Sequence, residues 1–184
     1  MVLEGEVDKG IIEGRDKDFH VFYDKLFTMK EQLMTVILPE LPIVGVLKLS
    51  STDGKTICKI DVVKKQKAST LSPFFTSCFE ELSQYLSGKK QQLDLPLDFS
   101  GMGDFQKKVL KEMRKIPYGK VQSYKDLAMR MKTKGYQAIG SACGKNPFML
   151  IYPCHRVVGS KDLGGFAHGP KMKKALLTLE GHTH

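Results

Sequence analysis

Tyr124-Lys-Asp-Leu-Ala-Met-Arg-Met-Lys-Thr-Lys-Gly-Tyr-Gln-Ala-Ile-Gly-Ser-Ala-Cys-Gly-Lys145 reads as two short helices joined by a tight turn. The first is expected over Tyr124–Lys132, the turn at Lys134-Gly135, and the second over Gln137–Lys145. A helical pair around a glycine-containing turn is the pattern of a helix-turn-helix. The second helix is built almost wholly of small residues: Ala138, Gly140, Ser141, Ala142, Cys143 and Gly144. Each glycine costs about 1 kcal/mol of helix stability relative to alanine. Close approach of that helix to another surface would offset the cost. The charge around it is lopsided. Residues 100–184 hold 16 Lys/Arg against five Asp/Glu, a net +11, while the first 99 residues carry −2. A basic half of that strength points to a polyanionic partner.

Working upstream, Phe105, Val109, Met113 and Ile116 recur at helical spacing until Pro117-Tyr118-Gly119 stops the run. Residues 89–103 lose that period and carry Pro96, Gly101 and Gly103, so the boundary between two domains is placed there. The expected division is 1–98 and 99–184. The earlier half reads as α/β. Residues 43–50 and 55–63 are β-rich, with Asp53-Gly54 between them as a hairpin signal. Cys58 alternates with charged residues and reads as a small core residue. Ser72-Pro73 then opens a helix through Phe75, Cys78, Phe79, Leu82 and Leu86, ended by Gly88. The expected fold is therefore an α/β N-terminal domain, a small sheet plus a helix, followed by a mainly α C-terminal domain with a helix-turn-helix.

Composition removes whole classes. The chain has 184 residues, 41% hydrophobic and 27% charged, enough for one ordinary domain or two small ones and too apolar for a disordered chain. No apolar stretch approaches the roughly 18 residues of a membrane span. Met1-Val-Leu-Glu-Gly-Glu-Val-Asp8 lacks the basic and apolar regions of a secretory leader, so a cytoplasmic location is expected, or a nuclear one in a eukaryote. Four cysteines (Cys58, Cys78, Cys143, Cys154) are too few for a disulfide scaffold, and neither they nor His20 form a zinc-spacing cluster. No metal and no cofactor are expected.

Downstream lies Asn146-Pro-Phe-Met-Leu-Ile-Tyr-Pro-Cys-His-Arg-Val-Val158. A cysteine attacks as its thiolate, and nearby His or Arg favours that form. A bare Cys-His pair is usually structural, and adjacent residues in an extended segment point apart. Coupling of Cys154 to His155 therefore needs a sharp turn or a bridging water. The neighbourhood as a whole changes that reading. Ile116-Pro-Tyr-Gly-Lys-Val121, Ser123-Tyr-Lys-Asp-Leu-Ala128, Asn146-Pro147, Pro153-Cys-His-Arg-Val157 and Leu179-Glu-Gly181, in this order, resemble the O6-alkylguanine-DNA alkyltransferases, also called methylated-DNA–protein-cysteine methyltransferases. The resemblance covers about residues 101–181, and the N-terminal half matches in outline.

The resemblance implies a role for each matching residue. Cys154 would accept the alkyl group from guanine O6 and keep it as a thioether, so each molecule would act once. His155 would take the thiol proton through a water, and Glu180 would hold the imidazole in its working tautomer. Tyr124 would donate to guanine N3, and Asn146 would tie the recognition helix to the active-site turn. Backbone groups at Val157, Phe166 and Ala167 would hold the extruded base. Ser123, Lys134, Tyr136, Gln137, Ala138, Gly140, Ser141, Lys145 and Lys173 would meet DNA. Arg156 is expected in a structural ion pair. The implied partner is double-stranded DNA carrying O6-methylguanine or related O-alkyl lesions. The protein is expected to be a monomer without membrane association, with cooperative binding along DNA left open.

The sequence departs from the family pattern in three places. The family's arginine finger aligns with Gln137, Tyr136 stands where many members have a small residue, and the usual Tyr-Ser-Gly-Gly loop reads Phe166-Ala-His-Gly169. Three rivals explain less. A non-catalytic lesion-binding relative would lack Cys154. A transcription regulator needs side chains for base edges, which the small-residue helix does not offer. A cysteine hydrolase leaves the basic half, Tyr124 and Asn146 unexplained.

Overall fold

The computed structural model describes residues 33–182. The N-terminal octapeptide and His20 lie outside them. Strands β1 (Met34–Ile37), β2 (Val46–Ser51) and β3 (Lys59–Val63) form one antiparallel sheet in that order. The register pairs Leu49 with Ile60, and Leu47, Leu49 and Ile60 are all buried. β1 is absent from the sequence reading because its four residues are exposed or half-buried and show no apolar face.

β2 and β3 form the expected antiparallel hairpin, but with a longer loop than the four residues between the two expected strands: Ser50 pairs with Lys59, so eight residues intervene. Asp53 accepts the backbone N–H groups of Lys55 and Thr56 at 2.8 and 2.7 Å, a local turn that competes with a tight hairpin. Ile57 is drawn out of the hairpin into a parallel bridge with Leu97. Ile57 is consequently the buried residue, and Cys58 is only half-buried rather than a core residue.

Helix α1 (Pro73–Leu86) buries Phe75, Cys78, Leu82, Tyr85 and Leu86 and ends where Gly88 takes φ +75. Residues 89–103, where the domain boundary is expected, pack into the molecule. Leu93 and Leu95 are buried, and the Phe99 ring meets Phe148 and Tyr152 edge-on at 5.2 and 6.0 Å. The β3 amide of Ile60 also donates to Pro147 O at 2.8 Å. One hydrophobic core thus runs from the sheet into the helical half.

The C-terminal half consists of α2 (Asp104–Arg114), α3 (Tyr124–Arg130), α4 (Tyr136–Gly144) and α5 (Pro170–Leu179). Two short strands, β4 (Gln122–Ser123) and β5 (Val157–Val158), pair in parallel. Ser123 and Asp126 form a reciprocal capping box that fixes the start of α3. α3 ends sooner than expected, before Lys132 at φ +52, and α4 follows after residues 131–135. The fold is a small sheet with a helix, then a mainly helical half containing a helix-turn-helix.

Candidate active site and nucleic-acid interface

Pro153 leads into a single 3-10 turn, Cys154–Arg156, which supplies the sharp bend that an extended Cys-His pair lacks. Its three residues are buried, His155 completely. Just upstream, buried Leu150 adopts φ +72, a conformation that side chains rarely take and that the surrounding packing must hold. Asn146 braces this bend. Its Nδ2 donates to Tyr152 O at 2.7 Å and its Oδ1 accepts from Phe148 N at 2.9 Å. Sitting two residues past α4, it joins the helix end to the cysteine turn.

Behind the turn lies a buried carboxylate with four partners. Glu180 Oε1 pairs with His155 Nε2 at 2.6 Å and accepts from the Tyr85 hydroxyl at 2.5 Å and from Arg156 Nη2 at 3.0 Å. Oε2 accepts from Arg156 Nε at 2.8 Å and Gly119 N at 3.1 Å. Arg156 thus sits in a buried ion pair and also donates to Ile116 O at 2.7 Å. Gly119 is glycine for a steric reason: at φ +71, a Cβ there would lie 2.6 Å from Glu180 O.

Burial alone would raise the Glu180 carboxyl, but hydrogen bonds and charge from His155, Arg156 and Tyr85 outweigh it and hold the group at about 2. An ionised carboxylate only accepts, so the proton between the pair sits on His155 Nε2. Burial keeps His155 below its ordinary value despite Glu180, so the imidazole is neutral. Nδ1 then carries a lone pair, and no protein group among the described residues pairs with it. Burial likewise pushes the Cys154 thiol above its ordinary range, against the opposing effects of an Asn146 hydrogen bond and the Lys173 charge. The thiol is therefore protonated at neutral pH and needs a base when it reacts.

Cys154 opens onto a cavity of about 160 Å³ lined by Tyr124, Gly140, Cys143, Gly144, Gly165, Phe166 and Ala167. The Tyr124 hydroxyl lies 3.5 Å from Gly165 O. Gly164, at φ +66, lets the chain pass beside the Tyr124 ring, which a Cβ would meet at 3.2 Å. The sequence-predicted residues Tyr124, Gly140, Cys154, Phe166 and Ala167 thus share one cavity. Cys143, Gly144 and Gly165 were not singled out for it.

Two expectations need correction. Lys173, read as a phosphate contact, is fully buried and donates to Val157 O at 2.6 Å and Gly165 O at 3.1 Å. Its helix α5 turns that side inward, so the ammonium braces the walls of the cavity instead of meeting solvent. Val157 is buried too, its carbonyl holds Lys173, and it does not line the cavity.

The outer face of α4 presents Tyr136, Gln137, Ala138, Ser141 and Gly144 to solvent, flanked by exposed Lys134 and Lys145. A Cβ at Gly140 or Gly144 would meet nothing within 4 Å, so interior packing does not call for glycine at either position. The Ser123 hydroxyl is engaged with Asp126, donating to Oδ2 at 2.7 Å and accepting from its backbone N at 3.1 Å.

Comparison with known proteins matches both halves. Residues 38–99 fit the ribonuclease-like domain of 6-O-methylguanine DNA methyltransferase, and residues 104–182 fit its DNA binding domain. The methylated-DNA–protein-cysteine methyltransferase of Sulfurisphaera tokodaii is 42% identical over 116 residues, covering 63% of this chain and 74% of that protein. That of Saccharolobus solfataricus is 44% identical over 107 residues, covering 58% and 70%. Among solved structures, Mycobacterium tuberculosis OGT in complex with DNA superposes with a TM-score of 0.69 at 32% identity, covering 79% of this chain and 91% of that one. Fold and site define a DNA-binding transferase of the helix-turn-helix kind. Within that class, the chain belongs to the 6-O-methylguanine DNA methyltransferase family.

Proposed function

We propose that the protein repairs O6-alkylguanine in duplex DNA by moving the alkyl group irreversibly onto Cys154. The observation that carries this reading is the chain of groups from Glu180 through His155 to the turn bearing Cys154, beside a cavity walled by α4. In the reaction His155 Nδ1 takes the thiol proton through a water. The sulfur lone pair attacks the alkyl carbon, the carbon–O6 bond breaks, and its electron pair leaves with guanine. Tyr124 donates to guanine N3 as that charge develops. A thioether remains, with no group in the cavity to reverse it, so the protein acts once.

A buried thiol cannot reach a stacked base, so the nucleotide leaves the helix first, at a cost of a few kcal/mol. The minor groove is only about 6 Å wide, and the glycine-rich face of α4 suits entry there. Lys134 and Lys145 supply sequence-independent phosphate attraction. Incubation with duplex DNA containing O6-methylguanine should add one methyl per chain, on Cys154, by mass spectrometry. Several turnovers per chain, or no methyl on Cys154, would refute the reading.

Gln137 and Tyr136 stand exposed in the first turn of α4, where the duplex must be held open. Gln137→Ala is expected to slow transfer from duplex DNA about three- to tenfold, the worth of one lost hydrogen bond or contact. Transfer from free O6-benzylguanine, which needs no extrusion, should not change. Equal slowing of both reactions would move the wedge role to Tyr136.

A further inference from the structure

We infer that Tyr85, on helix α1 of the N-terminal half, is a positioning residue for alkyl transfer: its hydroxyl shares the Glu180 carboxylate with His155 and so tunes how readily that imidazole takes the Cys154 proton. The inference rests on the functional reading above and assigns part of the reaction to a half of the chain that carries none of its motifs.

Among the described residues, hydrogen bonds to the Glu180 carboxylate come from His155, Arg156, Gly119 and Tyr85, and only Tyr85 precedes residue 100. It is 95 residues from Glu180 in sequence and 1% exposed. Its oxygen also accepts from Arg156 Nη2 at 3.3 Å, which leaves its proton for Glu180. Burial and the Glu180 charge drive the phenol far above its ordinary range, so it stays a donor at every working pH. Tyr85 and His155 both meet Oε1, the same oxygen. Hydrogen bonds to one acceptor compete, because each draws on the same electron density. Without the Tyr85 hydroxyl, Oε1 would hold the His155 Nε2–H more strongly and favour the imidazolium. The other charges facing His155 are Arg156 and Lys173, which both disfavour its protonation, and the Tyr118 phenol lies close enough to feel Glu180. Tyr85→Phe also removes the 3.3 Å hydrogen bond from Arg156 Nη2, but Arg156 keeps its charge and both hydrogen bonds to Glu180, and Lys173 and Tyr118 are untouched.

The test uses the full chain and the pH profile of single-turnover transfer from O6-methylguanine duplex DNA, with duplex affinity measured alongside. In Tyr85→Phe the acid limb should move to higher pH by about half to one unit, the worth of one hydrogen bond. Below that limb the rate should fall about three- to tenfold, with DNA affinity unchanged. Replacing Tyr85 by 3-fluorotyrosine, a stronger donor of nearly the same size, should move the limb to lower pH. Cys78→Ala, which loosens the same helix without touching Glu180, should lower the melting temperature and leave the limb in place. An unmoved limb in either Tyr85 variant, or an equal shift in Cys78→Ala, overturns the inference. If Tyr85→Phe does not fold, the fluorotyrosine protein decides. Absence of transfer by the wild-type chain would instead overturn the functional reading, and this inference with it.

Discussion

Cys154→Ala is expected to abolish alkyl transfer while leaving duplex binding intact. The sulfur is the group that gains the carbon, so no slower version of the same step survives its removal. The neighbouring thiol does not substitute. Cys143 lines the same cavity, but burial, with some help from Cys154, pushes its pKa up to about 12. Its sulfur also rests 3.4 Å from Met113 Sδ in the core. Cys154→Ser should fail as well, since a hydroxyl is a far weaker nucleophile than a thiol with the same base beside it. Neither change touches the exposed residues of α4 or Lys134 and Lys145, so fluorescence anisotropy should give unchanged affinity and salt dependence. The loss of one buried sulfur costs about 1 kcal/mol of stability, too little to unfold a domain of this size. A methyl group found on either variant would show that Cys154 is not the acceptor. Intact folding with lost DNA binding would show that binding and chemistry are not separate.

The parts of this site that are local in sequence were legible, and the parts that rest on distant contacts were not. Cys154, His155 and Arg156 are adjacent, and Asn146 sits eight positions before the cysteine, so one short segment displays the turn and its brace. The helix-turn-helix declared itself through a glycine-containing turn, a basic surround and a small-residue run. Lys173 misled because lysines at 171, 173 and 174 look like one solvated face. What buries Lys173 is a pair of backbone carbonyls, at Val157 and Gly165, and carbonyls leave no mark in a sequence. Tyr85 occupies a core position at helical spacing that Phe or Leu would fill equally well. Only its hydroxyl is unusual, and its acceptor is far along the chain. The Asp53-Gly54 signal marked the hairpin but not the length of its loop, because Leu97, the bridge partner of Ile57, lies forty residues along the chain.

Glu180→Gln is expected to slow transfer at least about 100-fold, within the range of a lost general base, and to destabilise the fold as well. The amide keeps the shape and one acceptor oxygen but removes the charge. Arg156, which donates twice to this carboxylate, is then left as a buried cation without a counter-charge. Removing one partner of a buried pair costs about 3–5 kcal/mol, a large share of a typical domain's stability. The imidazole loses the charge that stabilises its protonated form, so it becomes a weaker base for the Cys154 thiol. Acid sensitivity separates the two consequences. In the wild type, Glu180 is held at about 2 against an ordinary 4.5, so its stabilisation is complete above 4.5 and is lost as pH falls through 2. His155 is held below its ordinary 6.5, so the unfolded chain takes up that proton first and stability already falls below 6.5. Both groups act in the same direction. The variant lacks the carboxyl proton uptake. Its stability, measured by urea unfolding at several pH values, should start lower and decline less between 4.5 and 2. A variant as stable as the wild type at pH 7, or one with the same acid slope, would mean that the Glu180–Arg156 pair does not hold the active-site turn in place.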